Sequence, residues 1–306
     1  MVASRMSAPR GGEPVVWAVV VTHNRQELLR ACLDAIASQS RAPDHLLVVD
    51  NASTDGTPDM VAAEHPAADL LALPENLGSS GGFHAGMGRA HAFGAMWVWV
   101  MDDDTIPRRD ALERLLDAPD PPDGLPPARL LASEVRWSDG SLHPMNQPVF
   151  KRDPELFLSS AEHRLLPIRT ATFPSLLVHR EAIDRYGLPH AHYFIWSDDW
   201  EYTSRILRDE PIGYLVPGSV AEHRTRSAHT PVSESGPRFY YHVRNWIYML
   251  RGHSFRPAEK LSLVFWLLMS LAGYLRVNRG SAESLRTVAR GLRDGVRPLP
   301  IPNADS

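Results

Sequence analysis

The sequence predicts an α/β fold: a mostly parallel central sheet covered by helices on both faces, followed by a helical C-terminal extension. Three observations predict it. Short, wholly apolar strands alternate with helical segments through the first third of the chain, and strands apolar on both faces belong to buried parallel sheets. The strands end in polar clusters, namely Thr22 with Arg25, Asp50, Asn76, and Asp102-Asp103-Asp104. In open α/β sheets the ligand crevice lies beyond the carboxyl ends of the strands, so four such ends point to one site. The last third changes character, from alternating elements to a long apolar stretch and an arginine-bearing one.

The elements follow in order. Val15 to Val21 is a continuous apolar strand ending in Thr22-His23-Asn24-Arg25, and Glu27 to Ser38 repeats leucine, isoleucine and alanine at helical spacing. Leu46 to Val49 is a second buried strand. Its polar tail, Asp50 to Thr57, reads as a turn before a helix from about Pro58 to Glu64. Leu70 to Leu73 is a third strand, leading through Asn76 to Phe83 into a helix over His84 to Phe93. The fourth strand, Ala95 to Met101, ends in the three carboxylates. A helix over Arg109 to Leu116 follows, then a loop over Ala118 to Pro127 that its prolines keep irregular. Arg129 to Trp137 resumes as a strand, residues 138–165 show little periodicity, and Thr172 to Val178 is again a strand. Arg180 to Tyr186 is a helix stopped by Gly187 and Pro189. Beyond the run from His192 to Tyr202, Ile212 to Val216 is the final strand.

Composition narrows the functional classes. At 306 residues the chain can bury a sizeable core, and its formal charge of -4 leaves no nucleic-acid footprint. The single cysteine, Cys32, excludes an intrachain disulfide and a Cys-based zinc site, and its helical context makes it a packing residue. Residues 1–13, with Arg5, Arg10, Ser, Pro and Gly, read as a disordered leader and not as a signal peptide. No uninterrupted apolar run reaches transmembrane length. The first strand-to-helix turn holds no glycine and no Gly-Lys-Ser/Thr loop occurs, which excludes dinucleotide and P-loop sites.

Three adjacent carboxylates repel one another, most strongly where low-dielectric walls replace water. If strand geometry persists, Asp102 and Asp104 share one face and Asp103 takes the other. That pairs hard oxygens suited to Mg²⁺ or Mn²⁺, with positions open for phosphate; the alternative is a solvated acidic turn.

Val-Val-Val-Thr-His-Asn-Arg (19–25), Val-Val-Asp-Asn-Ala-Ser-Thr-Asp-Gly-Thr (48–57), Asn-Leu-Gly-Ser-Ser-Gly-Gly-Phe (76–83) and Met-Asp-Asp-Asp-Thr (101–105) resemble, in order and spacing, the motifs of family 2 glycosyltransferases. The resemblance covers roughly residues 15–250 and is closest to the bacterial galactofuranosyl- and rhamnosyltransferase branch. It implies a GT-A type nucleotide-sugar-binding fold over residues 14–255, with a helical extension over 256–306. It also implies a UDP- or dTDP-sugar donor, a glycan or glycolipid acceptor of the cell envelope, and an inverting, Mn²⁺- or Mg²⁺-dependent reaction.

Carried over residue by residue, the resemblance places Thr22, Arg25, Asp50 and Asn76 in the nucleoside pocket, beside Asp103. The alternative for Thr22, Asp50 and Asn76 is that they cap turns and a helix. Gly81 and Gly82 belong to the substrate loop. The resemblance makes His223 the third metal ligand, with Asp102 and Asp104.

In His192 to Tyr202, an aromatic run leads into Asp198-Asp199. Trp196 and Trp200 would form a sugar-binding wall, and the segment resembles the family's Trp-x-Glu/Asp-Asp motif. Its second acid, the catalytic base, falls on Asp199; the first is Asp198 where Glu is frequent, which keeps Asp198 as the alternative base. Tyr240 to Asn245 resembles a further segment of the branch, in which Arg244 faces the diphosphate or anchors its helix.

Leu261 to Leu275 is apolar and uncharged, and Arg286, Arg290, Arg293 and Arg297 recur at helical spacing. The two stretches read as a monotopic attachment to anionic lipid at the cytoplasmic face, or as helices packed on the catalytic domain or on a second copy. A sugar-nucleotide pyrophosphorylase and a non-catalytic membrane-associated scaffold are the competing functions. The first would want a glycine-rich basic loop after the first strand, and the second would tolerate loss of the acids.

Overall fold

The computed structural model describes residues 14–225 and 236–298; the expected leader, 1–13, lies outside them. β1 (Val16–Thr22) forms the centre of a parallel half-sheet, hydrogen-bonded to β2 (His45–Asp50) on one side and β4 (Trp97–Asp102) on the other. β3 (Asp69–Ala72) extends it beyond β2. Every residue of β1 is buried because both faces are covered. Trp17, Val19 and Val21 pack with Phe83 and Met87 of α3 (Gly78–Ala92). Val16, Ala18 and Val20 pack with Leu29, Cys32, Leu33 and Ile36 of α1 (Gln26–Ala37), and with Met60 and Val61 of α2 (Thr57–Glu64).

The other half of the sheet is antiparallel in most of its pairs. β9 (Leu176–His179) runs against both β4 and β6 (Leu130–Arg136), and β10 (Gly213–His223) runs with β6. The spatial order is β3-β2-β1-β4-β9-β6-β10-β8-β7. The whole is therefore a mixed sheet rather than a mostly parallel one. Residues 138–165, which carry little periodicity, hold β7 (Val149–Phe150) and α5 (Pro154–Glu162), with β8 (Leu166–Thr170) beyond. A three-residue strand, β5 (Thr105–Pro107), follows the acidic turn and pairs with β10.

Three boundaries differ from expectation. α3 begins at Gly78, six residues before His84, because its glycines serve close packing. A Cβ on Gly82 would stand 2.4 Å from Val21 Cγ1, and one on Gly86 2.5 Å from Val19 Cγ1. Glycine's low helix propensity hides such a helix from sequence. β9 starts at Leu176 instead of Thr172, after Ser175 at φ 57°. β10 runs on to His223 across a register shift between Leu215 and Val220, near Pro217 and Gly218.

α4 (Ala111–Leu116), α6 (Arg180–Tyr186) and α7 (Asp198–Ile206) complete the covering layers. α8 (Phe239–Arg251), α9 (Pro257–Val277) and α10 (Ala282–Gly295) form a C-terminal cluster. α9 is 21 residues, longer than the apolar run that announced it, and is long and apolar enough by length and composition to cross a membrane. The ion pair from Arg169 to Glu259 at 2.7 Å joins it to β8.

Candidate active site

The acid-tipped strand and the end of β10 build the centre of the site. β4 stops at Asp102, and β5 pairs His223 with Thr105, so β10 delivers its last side chain beside the acidic turn. His223 Nε2 lies 2.9 Å from Asp104 Oδ1. On the ring's other side Nδ1 lies 2.8 Å from Asn146 Oδ1, whose amide nitrogen donates to Thr172 Oγ1. An amide oxygen only accepts, so Nδ1 carries the proton and Nε2 is directed at the carboxylates. One ligand atom each from Asp102, Asp104 and His223 fall within 4.8 Å of one another. Two carboxylate oxygens and an imidazole nitrogen, with an amide orienting the imidazole from behind, are a donor set suited to Mg²⁺ or Mn²⁺.

The charges are arranged unevenly. Burial, then the Asp104 carboxylate, push Asp102 up to about 7. Burial also lifts Asp103 to about 6 against the pull of Arg25. For Asp104 burial is outweighed by the His223 hydrogen bond and the Arg25 charge, which hold it near 2. His223 is raised in return: burial disfavours its charge, but Asp104 more than compensates. A concentration of negative charge this poorly neutralised favours a cation.

Thr22 and Arg25, at the end of β1, converge on the same turn. Thr22 Oγ1 donates to Asp103 Oδ2 at 2.8 Å, and Arg25 Nη1 bonds Asp104 Oδ2 at 2.7 Å and Asp103 Oδ1 at 3.3 Å. Asp50 and Asn76 make local turn bonds instead. The Ser53 backbone N–H donates to both Asp50 oxygens, and the Gly78 N–H to Asn76 Oδ1. Asn51, which sequence reading passed over, bridges these two strand ends: its amide donates to the Gly78 carbonyl and its oxygen accepts from Leu77 N–H.

The second acidic pair opens α7. Asp198 is buried, with Oδ2 lacking a hydrogen-bond partner, and burial lifts its carboxyl to about 6. Asp199 accepts the Trp200 N–H at 2.7 Å, and burial, then Asp198, push its carboxyl well above the usual range. The Asp102 charge reaches both carboxyls, so the two acidic groups are electrostatically linked. The preceding loop is strained: Phe194, Trp196 and Ser197 all have φ between 65° and 67°, a conformation non-glycine residues adopt at a cost.

α8 holds that loop. Asn245 Nδ2 donates to the carbonyls of Tyr193, Ile195 and Trp196 at 2.8–3.0 Å. Arg244 Nη2 donates to the carbonyls of His192 and Tyr193, with its guanidinium over the Tyr240, Tyr241 and Tyr248 rings. Arg244 thus anchors the loop through Nη2. Trp200 packs against the cluster of Tyr193, Tyr248, Met249, Phe255 and Leu263, so it is not a free sugar wall; Trp196 is half-buried beside the acids. Gly81 and Gly82 are buried in helix packing, where a Cβ would meet Leu77 and Val21 at 2.4 Å, and they present no surface to a substrate.

Comparisons with other proteins give the family and the fold. The sequence profile of Glycosyl transferase family 2 matches residues 17–162. Galactofuranosyltransferase GlfT1 of Mycolicibacterium smegmatis is 31% identical over 288 residues, spanning 87% of this chain and 95% of that protein. The chain belongs to glycosyl transferase family 2. The N-acetylglucosaminyl-diphospho-decaprenol L-rhamnosyltransferase of Mycobacterium tuberculosis is 27% identical over 78% of this chain and 85% of its own length.

Solved structures share the fold of this family 2 chain. S. aureus TarS superposes with a TM-score of 0.60 at 15% identity; 92% of this chain is covered, and it spans about half (48%) of TarS. The mannosyltransferase PcManGT from Pyrobaculum calidifontis, in complex with GDP-Man and Mn²⁺, gives 0.53 at 20% identity, covering 92% of this chain and 80% of that one. The chain is a glycosyltransferase, and neither the pyrophosphorylase nor the scaffold reading finds support.

Proposed function

We propose that this glycosyltransferase is metal-dependent and inverting, and moves galactofuranose or rhamnose from a UDP- or dTDP-sugar to a hydroxyl of a cell-envelope glycan or glycolipid at the cytoplasmic face. The observation that carries the reading is the convergence of Asp102, Asp104 and His223 within 4.8 Å, with the Asp102 charge reaching the buried Asp198 and the half-buried Asp199. The choice of sugars rests on the names of the relatives, a galactofuranosyltransferase and a rhamnosyltransferase.

Asp102, Asp104 and His223 would hold Mn²⁺ or Mg²⁺, which when bound would neutralise charge on the donor diphosphate. Thr22 and Arg25 anchor the turn that carries these ligands, and with Asp103 they form the floor of the nucleotide site. Asp50 and Asn76 edge that site through the turns they close. Asp199, with Asp198 as the alternative, accepts the proton of the acceptor hydroxyl. The new C–O bond forms on the sugar face opposite the leaving diphosphate, whose bond to the anomeric carbon breaks. Burial makes the acid a stronger base once ionised, and a cation held by Asp102, Asp104 and His223 would favour that ionised form.

Isothermal titration of UDP with and without Mn²⁺, on wild type and Asp104→Asn, tests the site. Metal-strengthened UDP binding that Asp104→Asn abolishes is expected. UDP affinity that is indifferent to Mn²⁺ in the wild type would remove the metal from the mechanism. A panel of UDP- and dTDP-sugars with a glycan acceptor then names the donor.

A further inference from the structure

The outer faces of α9 and α10 carry large apolar side chains that no described element covers. On α9, Leu261, Phe265, Leu268 and Met269 recur at i, i+4, i+7 and i+8 and are 75%, 56%, 60% and 52% exposed. The opposite face is occupied: Leu263 packs with Tyr248 and Met249 of α8, and Tyr274 stacks on Phe239 with ring centroids 3.9 Å apart. α10 repeats the arrangement. Gly291 and Gly295 let it lie against α8, where a Cβ would stand 2.7 Å from Val243 and Ile247. Its outward face carries Leu285, Leu292 and Val296 in one stripe and Arg286, Arg290, Arg293 and Arg297 in a second stripe, about 100° further round.

We infer that the α9–α10 face docks on an anionic lipid surface, lying in the interface and not crossing it. This goes beyond the reaction and does not depend on the sugar transferred. Crossing would ring α9 with lipid, yet one side of it is packed along its length, and Glu259 at its first turn is ion-paired with Arg169. An apolar stripe flanked by cations on a docked helix is the pattern of in-plane attachment.

Charge decides the occupant. Residues 282–298 hold four arginines against Glu283 and Asp294, a net +2 on a chain whose formal charge is -4. A second copy packed face to face on α10 would bring two helices of net +2 together, which like-charge repulsion opposes. Anionic headgroups satisfy both stripes at once, each surface arginine contributing about 1 kcal/mol, or roughly five-fold in partitioning.

Co-sedimentation of the full chain with phosphatidylcholine vesicles, with and without phosphatidylglycerol, tests this. Asp294 already pairs with Arg293 and Arg297, so the charge variant is Arg286→Gln with Arg290→Gln, and the apolar variant is Phe265→Glu with Leu268→Glu. All four positions are exposed, and retained Mn²⁺–UDP binding would show that the fold and the donor site survive. Expected are binding to anionic vesicles only, a loss of roughly 25-fold in the charge variant, and near-complete loss in the apolar one. No sedimentation, equal binding to neutral vesicles, or a dimer that the apolar variant dissociates would each overturn the inference.

Discussion

Replacing Asn245 with leucine removes a buried amide of nearly the same size and, with it, the support of the loop that precedes Asp198 and Asp199. The amide has two N–H groups, shared among three carbonyls at 3.0, 2.9 and 2.8 Å. The Tyr193 carbonyl keeps Arg244, so the carbonyls of Ile195 and Trp196 are left bare at about 1–3 kcal/mol each, and the substitution should cost roughly 2–6 kcal/mol. That cost falls on a segment already strained at Phe194, Trp196 and Ser197, each worth about 1–3 kcal/mol. The loop therefore relaxes before the domain unfolds. Asp198 and Asp199 follow directly, and a misplacement of about 1 Å can lower turnover on the order of 10²-fold. UDP–Mn²⁺ affinity should hold, because those groups stand on β1, β4 and β10. Urea unfolding gives the stability, and kcat and KM for donor and acceptor give the division. An Asn245→Leu enzyme with unchanged midpoint and kcat would show the three bonds to be incidental. Equal losses in kcat and UDP binding would mean a general collapse of the site.

Asp199→Asn should lower kcat by about 10²–10⁴ with donor affinity preserved; if Asp198→Asn does so instead, the base is the first acid. Gly78→Ala should destabilise strongly, since φ is +73° and the new Cβ would lie 1.9 Å from the Phe194 carbonyl oxygen. Gly94→Ala, at φ +89° with open space around it, should cost only about 1–2 kcal/mol, and similar losses in the two melts would contradict the packing argument. Asp102, Asp103 and Asp198 have folded pKa values of about 7, 6 and 6, above their unfolded values. Their protonated forms favour the fold, and that contribution is complete below the unfolded carboxylate pKa of about 4 and lost by about pH 7. Metal-free protein should therefore melt lower at pH 7.5 than at 5.5, with Mn²⁺ restoring more at the higher pH; a Mn²⁺ effect independent of pH would be inconsistent with a proton-competing site.

The first half of the fold was legible because each parallel strand is an unbroken apolar run with its helix directly after it. Nothing local marks β9 as the strand that reverses direction between β4 and β6, and the two-residue β7 is fixed only by its pairing with β8. The same division runs through the site. Asp102 and Asp104 could be marked from sequence because adjacent carboxylates are unusual at a strand end, His223 only through the family resemblance, and the residues that aim them could not. Asn146 lies in the stretch with no periodicity, yet its oxygen sets the proton on His223. Arg244 and Trp200 have the chemistry of ligand contacts, and only the fold shows that they also hold and pack against the loop before Asp198.

The three asparagines that organise this centre bind backbone or a ring nitrogen across long separations: Asn51 to Gly78, Asn146 to His223, and Asn245 to the loop before Asp198. A short amide can donate and accept in one place without adding charge. In a site already crowded with carboxylates, that is the property a positioning group needs. A substitution of any of the three by aspartate keeps the shape, adds one more charge, and turns each donor into an acceptor facing a carbonyl at Asn51 and Asn245 or the Thr172 hydroxyl at Asn146. The positioning shell is thus as chemically constrained as the acids, although a single asparagine carries no spacing by which a sequence could announce it.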